Sequence, residues 1–147
     1  MTPLVRRYIK TSFVFLLCGL LLGAYLVIAQ FVLDRYPPRL LTTTHTHLLL
    51  VGFMLMMVMG VATWMFPRPA RDDRRYRPEL AEAAYWIMTT ATAVRALAEI
   101  VVAMAGILGV RWLIALGGIG QVVGAGIFAL NMWWRVRMPP AATPPVH

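Results

Sequence analysis

Two imidazoles two residues apart, His45 and His47, stand near the start of a long apolar run that closes on Phe66-Pro67-Arg68. Burying an imidazole in a bilayer is costly unless it binds something, so the pair nominates a metal or haem site. At about 100° per residue, helix positions two apart point to nearly opposite sides. The two rings therefore cannot readily grip one ion together, and must serve two sites or two sides of an interface. This geometry argues against zinc or copper chelation by the pair alone. Axial ligation of haem iron asks for only one imidazole from each of two facing helices. The bland alternative is that both rings simply hydrogen-bond to neighbouring carbonyls.

A second constellation is the intramembrane ion pair Arg95 and Glu99, four residues apart and so stacked on one helix face. It is either a structural pair or part of a proton path or a partner for the histidine layer. Counting inward at about 1.5 Å per residue, Tyr25, Gln30, Glu99 and Gln121 all fall in the outer half of the membrane, with Arg95 near its middle. Met54, Met56, Met57, Met59 and Met65 crowd the same run as the histidines, and a thioether stripe would suit copper(I). Their positions surround a helix instead of forming one face, which reads as core packing.

The elements that must hold these residues are membrane helices. Of the 147 residues 60% are hydrophobic, gathered in four blocks: Thr11 to Leu33, Leu41 to Phe66, Leu80 to Ile107 and Trp112 to Trp134. Each is long enough for the roughly 20 helical residues that cross a bilayer core. The expected fold is all-α, a four-transmembrane-helix bundle over residues 1–138 with antiparallel neighbours, followed by a disordered proline-rich tail over 139–147. The first block resembles a signal peptide, but its apolar part is too long, and it is expected to be retained.

Pro37 and Pro38 stop the first helix, and Thr42, Thr43 and Thr44 read as the N-cap and first turn of the second. Gly106 and Gly109 mark a tight turn before the fourth helix. There, Gly120 and Gly124 have the spacing of a close-packing face, within the subunit or against a neighbour. Trp133 and Trp134 beside Arg135 read as an interfacial anchor. Cys18, the only cysteine, cannot form an intrachain disulfide.

The formal charge of +8 would suit nucleic acid, but the basic residues sit at helix ends, where membrane topology explains them. Ten lie on one side (Arg6, Arg7, Lys10, Arg68, Arg71, Arg74, Arg75, Arg77, Arg135, Arg137) and three on the other (Arg35, Arg39, Arg111). This places both termini in the cytoplasm of a bacterial or archaeal cell, with the chain in the inner membrane.

The segment His45 to Arg68, HTHLLLVGFMLMMVMGVATWMFPR, resembles the tenth transmembrane helix of the haem-copper oxidase and nitric oxide reductase catalytic subunit. That helix also reads His-x-His, an apolar run with Gly and Met, and an aromatic end closing in Pro and a basic residue. The resemblance implies that His45 and His47 ligate haem iron, the first of such a pair serving a high-spin haem and the second a low-spin one. The His45-Thr46 start is also similar to the family's second helix, which supplies the other low-spin ligand. A fainter likeness lies in the Gly-rich fourth helix, ending Phe128, Asn131, Trp133 and Arg135.

The family's catalytic subunits have twelve helices in three arcs of four, and further histidines for copper. This chain has one arc's worth of helices and no histidine left for a copper site, so oxygen reduction by the copper-site mechanism is not expected. What the resemblance implies is a short relative that rebuilds the ring by self-association, a trimer or else a dimer, with haem between subunits. The expected function is a small b-type cytochrome that binds haem b, for electron transfer or for binding a diatomic gas. Arg39 and Arg111 would pair with the haem propionates, or else are topological loop charges. The rival readings are an accessory protein handling metal or haem during oxidase assembly, and a structural subunit without cofactor. The sequence gives no electron partner.

Overall fold

A computed structural model describes residues 2–66, 77–133 and 135–136. Among them the chain is all-helical, with four helices long and apolar enough to cross a membrane: α1 (Pro3–Phe31), α2 (Arg39–Met65), α3 (Pro78–Ala105) and α4 (Arg111–Trp133). This is a multi-pass membrane protein. The expected tail, and most of the charged connection between α2 and α3, lie outside the described residues.

The helix ends follow from local chemistry. The Thr2 hydroxyl accepts from the Val5 amide at 3.4 Å and Pro3 opens α1, so the helix starts well before the apolar block does. Arg6, Arg7 and Lys10 thus ride on the helix itself. The chain reverses through Asp34, whose φ of 50° is in the left-handed region that Asp tolerates. Pro38, extended, then stands at the N-cap of α2. This displaces the threonines from the capping role read from the sequence. Thr43, Thr44 and Thr46 instead return their hydroxyls to the carbonyls of Arg39, Leu40 and Thr42, at 3.3, 2.9 and 3.0 Å. In an apolar medium a hydroxyl needs a partner, and its own helix offers one. At the far end of α3, Gly106 with φ of 67° makes the left-handed stop. A short 3₁₀ turn, Leu108–Val110, then leads into α4.

The helices pack in chain order, α1 on α2, α2 on α3 and α3 on α4. The first and last helices approach each other at the Tyr8–Phe128 ring pair, 6.5 Å apart, near the end that carries the amino terminus. That end is tied together. Tyr8 is fully buried and meets Tyr85 edge-on at 5.0 Å, the Thr11 and Tyr85 hydroxyls bond at 2.8 Å, and Arg7 pairs with Glu82 at 2.8 Å. The Asn131 amide accepts from the Arg77 N–H and donates to the Arg77 carbonyl, both at 3.1 Å, docking the start of α3 on the end of α4.

Arg135, read from the sequence as part of an interfacial anchor, turns inward. It is 4% exposed, and its guanidinium donates to the carbonyls of Thr63 and Phe66 at the end of α2. Those last-turn carbonyls have no partner in their own helix, and a cation is the natural cap for them.

Glycine brings α3 and α4 close together. A Cβ at Gly117 would lie 2.6 Å from Arg95 Cβ and 2.8 Å from the Ala91 carbonyl oxygen; one at Gly120 would lie 2.8 Å from Ala91 Cβ. The glycine face therefore packs within the subunit. Gly126, with nothing within 4 Å of its Cβ position, points away. Gly117→Ala is expected to destabilise the bundle by about 1–3 kcal/mol through forced separation of backbones. Gly126→Ala should be neutral or stabilising by up to about 1 kcal/mol, as ordinary helix propensity dictates. Unfolding titrations of both variants in mixed micelles check this, and equal losses would refute it.

Candidate functional site

His45 and His47 lie in the second and third turns of α2, at the end of the bundle away from the amino terminus. The two rings leave the helix in different directions, as their spacing requires. His45 reaches across to α1, where its Nδ1 is 2.8 Å from the Gly19 carbonyl oxygen. His47 folds back on its own helix, its Nδ1 2.9 Å from the Thr43 carbonyl oxygen. A carbonyl only accepts, so in each ring Nδ1 carries the proton and donates.

One consequence is common to both histidines. With Nδ1–H committed, a neutral ring presents its lone pair at Nε2, the arrangement in which a second contact fixes the tautomer and orientation of a metal-binding imidazole. The His45 ring is cradled by the backbone of α1: a Cβ at Gly23 would lie 2.6 Å from its Cε1 and 3.0 Å from its Nδ1. Gly19 and Gly23 thus do two jobs, one supplying the acceptor and the other the space. Their four-residue spacing in the first apolar block is the sequence signal for this seat. Among the described residues neither Nε2 has a hydrogen-bond partner, so by its chemistry each ring could bind a metal through that nitrogen.

Directly after the histidines, Leu48–Leu55 winds as a π-helix before α-helical geometry resumes at Met56–Met65. Wide turns of this kind are rare and often accompany functional sites. Its Gly52 lies against Phe15 of α1, where a Cβ would meet the ring carbon Cγ at 2.7 Å. The methionines do not converge: Met56 and Met59 are buried in the core, while Met54 and Met65 are exposed. Among the described residues no three His, Cys, Asp or Glu side chains come together as an ion-binding group.

The second site lies between α3 and α4. Arg95 Nε donates to Glu99 Oε1 at 2.9 Å, and its Nη1 donates to Gln121 Oε1 at 3.1 Å. The Gln121 amide in turn donates to the Thr92 hydroxyl at 3.1 Å. Glu99 is fully buried, and among the described residues its second oxygen, Oε2, has no hydrogen-bond partner. Among the described residues no hydrogen bond joins this cluster to either histidine. It is a separate polar knot. Of the other residues singled out by depth, Tyr25 and Gln30 are exposed on α1.

Arg39 and Arg111 open α2 and α4 at the same end of the bundle as the histidines, and both are exposed. Among the described residues neither forms a salt bridge. No protein-family model matches this chain, and no solved structure matches it.

Proposed function

We propose that the protein is a small membrane b-type cytochrome in which His45 and His47 hold haem b through Nε2, for electron transfer or diatomic gas binding. The observation that carries the reading is the matched pair of Nδ1–H···O=C bonds, to Gly19 and to Thr43. Each leaves one Lewis-basic nitrogen on a ring held in place within a membrane helix. The haem, when bound, supplies reversible one-electron chemistry at iron and an open or exchangeable position for a gas.

The chain's own part is to ligate and to orient. Because His45 and His47 diverge, one helix cannot turn both rings to a single haem, and a histidine of a second subunit would complete the hold on it. This implies a homo-oligomer, three subunits before two, with haem where subunits meet. Arg39 and Arg111, charged and exposed at the same end, are suited to hold propionates as charge-assisted donors. The asymmetry of basic residues supports a topology with both termini in the cytoplasm and the histidine end at the opposite face of the cell membrane.

The deciding measurement is an absorption spectrum of the purified protein, oxidised and reduced, with haem counted per chain. The expected result is a Soret band that shifts on reduction, at about one haem per chain in the symmetric assembly. A colourless protein that stays so after haem is added would overturn the reading.

A further inference from the structure

We propose that the groove beside Arg95, between α3 and α4, receives α1 of a second copy of this chain, with that copy's Tyr25 set against the Arg95 guanidinium. The groove measures about 470 Å³ and is lined by Arg95, Ala115, Gly118, Ile119, Val122 and Val123 among others. Apart from the arginine its wall is apolar. Arg95 commits Nε to Glu99 and Nη1 to Gln121, and its side chain remains 19% exposed. Among the described residues Nη2 has no hydrogen-bond partner. A cation facing hydrocarbon with an idle donor is costly, so this position calls for a polar or aromatic cover.

The chain carries a group of that kind. Tyr25 is 46% exposed on α1, and its hydroxyl makes no hydrogen bond among the described residues. Gly19 and Gly23 fix which face of α1 packs on α2, and Tyr25, two positions beyond Gly23, points to the opposite side. Leu17, Leu21 and Ile28, at helical spacing from it, share that face and are all more than half exposed. The depths agree as well. At 1.5 Å per residue Tyr25 lies about 9 Å below the end of α1, and Gly118 about 10 Å below the start of α4. The tilt of Cβ toward the amino terminus carries the tyrosine ring deeper, to where the guanidinium spans from Gly118 to Gln121.

The topology supplies the occupant. The helices pack in chain order, so α1 and α4 are the two ends of the subunit's arc. A neighbour's α1 seated on the free side of α4 continues the arc and runs antiparallel to α4, as every adjacent pair in the subunit does. Gly118 keeps that side of α4 low beside Arg95. Tyrosine suits the contact because it offers both a hydroxyl acceptor and a π face to a guanidinium. The interface is heterologous, α1 of one copy on α3 and α4 of the next.

Cysteine cross-linking in native membranes tests it. In a Cys18→Ser background, Leu21→Cys and Val122→Cys are introduced together and separately; these positions lie about 15 and 16 Å below their helix ends. Oxidation is expected to give a ladder beyond the dimer from the double-cysteine chain and no product from either single one. A double-cysteine chain that stays monomeric means lipid covers the groove, and a single-cysteine chain that dimerises equally well means isologous pairing; either overturns the proposal. Independently, Tyr25→Leu should weaken self-association in detergent about three- to tenfold by sedimentation, the range for polar contacts between membrane helices. An unchanged equilibrium would remove Tyr25 from the interface. Both readouts work without haem, so a failed spectrum and a failed cross-link are separate results.

Discussion

Replacing His45 with alanine is expected to abolish or convert the haem spectrum while the chain still inserts. The imidazole is anchored to α1 by a hydrogen bond to Gly19, and its loss would remove the proposed ligand without removing a core residue. His47→Ala should do the same, since that ring bonds to the Thr43 carbonyl of its own helix. The two variants need not give the same spectrum, because the rings face different surroundings. A third variant tests the seat instead of the ligand. Gly23→Val places two methyl groups where the His45 ring now lies, and should lower haem affinity about 10- to 100-fold, as loss of a supporting contact typically does. If both alanine variants keep an unchanged low-spin spectrum, ligation by this pair is wrong.

Glu99→Gln is expected to cost about 3–5 kcal/mol, because it leaves the Arg95 cation in a low-dielectric interior with neutral partners and no counter-charge. Changing both residues to neutral ones, Arg95→Met with Glu99→Gln, should cost less than the single carboxylate change. The reason is the asymmetry of buried pairs: removing one partner strands a charge, whereas removing both strands none. A double-mutant cycle by unfolding in mixed micelles measures the coupling, and strictly additive losses would show that the two side chains do not interact.

How far the sequence alone leads varies from element to element. The four spans are legible because a bilayer imposes a long apolar run on any helix that crosses it, and the prolines at 37 and 38 mark the first break plainly. The start of α2 was misread because three consecutive threonines resemble a cap, while in an apolar setting their hydroxyls return to the helix. The π-helical stretch leaves no trace in LLLVGFML, since a segment apolar on every side has no periodicity to lose. The opposing directions of His45 and His47 follow from spacing alone. The partner of His45 does not, because a backbone carbonyl has no residue type to announce it; only the glycines of α1 hint at it. Arg135 was misplaced for a similar reason: beside two tryptophans it looks like a surface charge, and its true acceptors are main-chain oxygens.

The inward turn of Arg135 bears on the order in which the molecule is completed during synthesis. Its acceptors at Thr63 and Phe66 precede it by 72 and 69 residues. While the ribosome is still extending α3 and α4, the end of α2 lacks the guanidinium that meets the Thr63 and Phe66 carbonyls in the finished fold. That end is sealed when residue 135 arrives, after the four described spans have been made. The second helix, which bears the histidines, is thus locked at its far end by nearly the last part of the described chain to emerge. A polypeptide interrupted within α4 would carry all the histidine-seat residues of α1 and α2, yet lack the clasp that holds α2 to the completed fold.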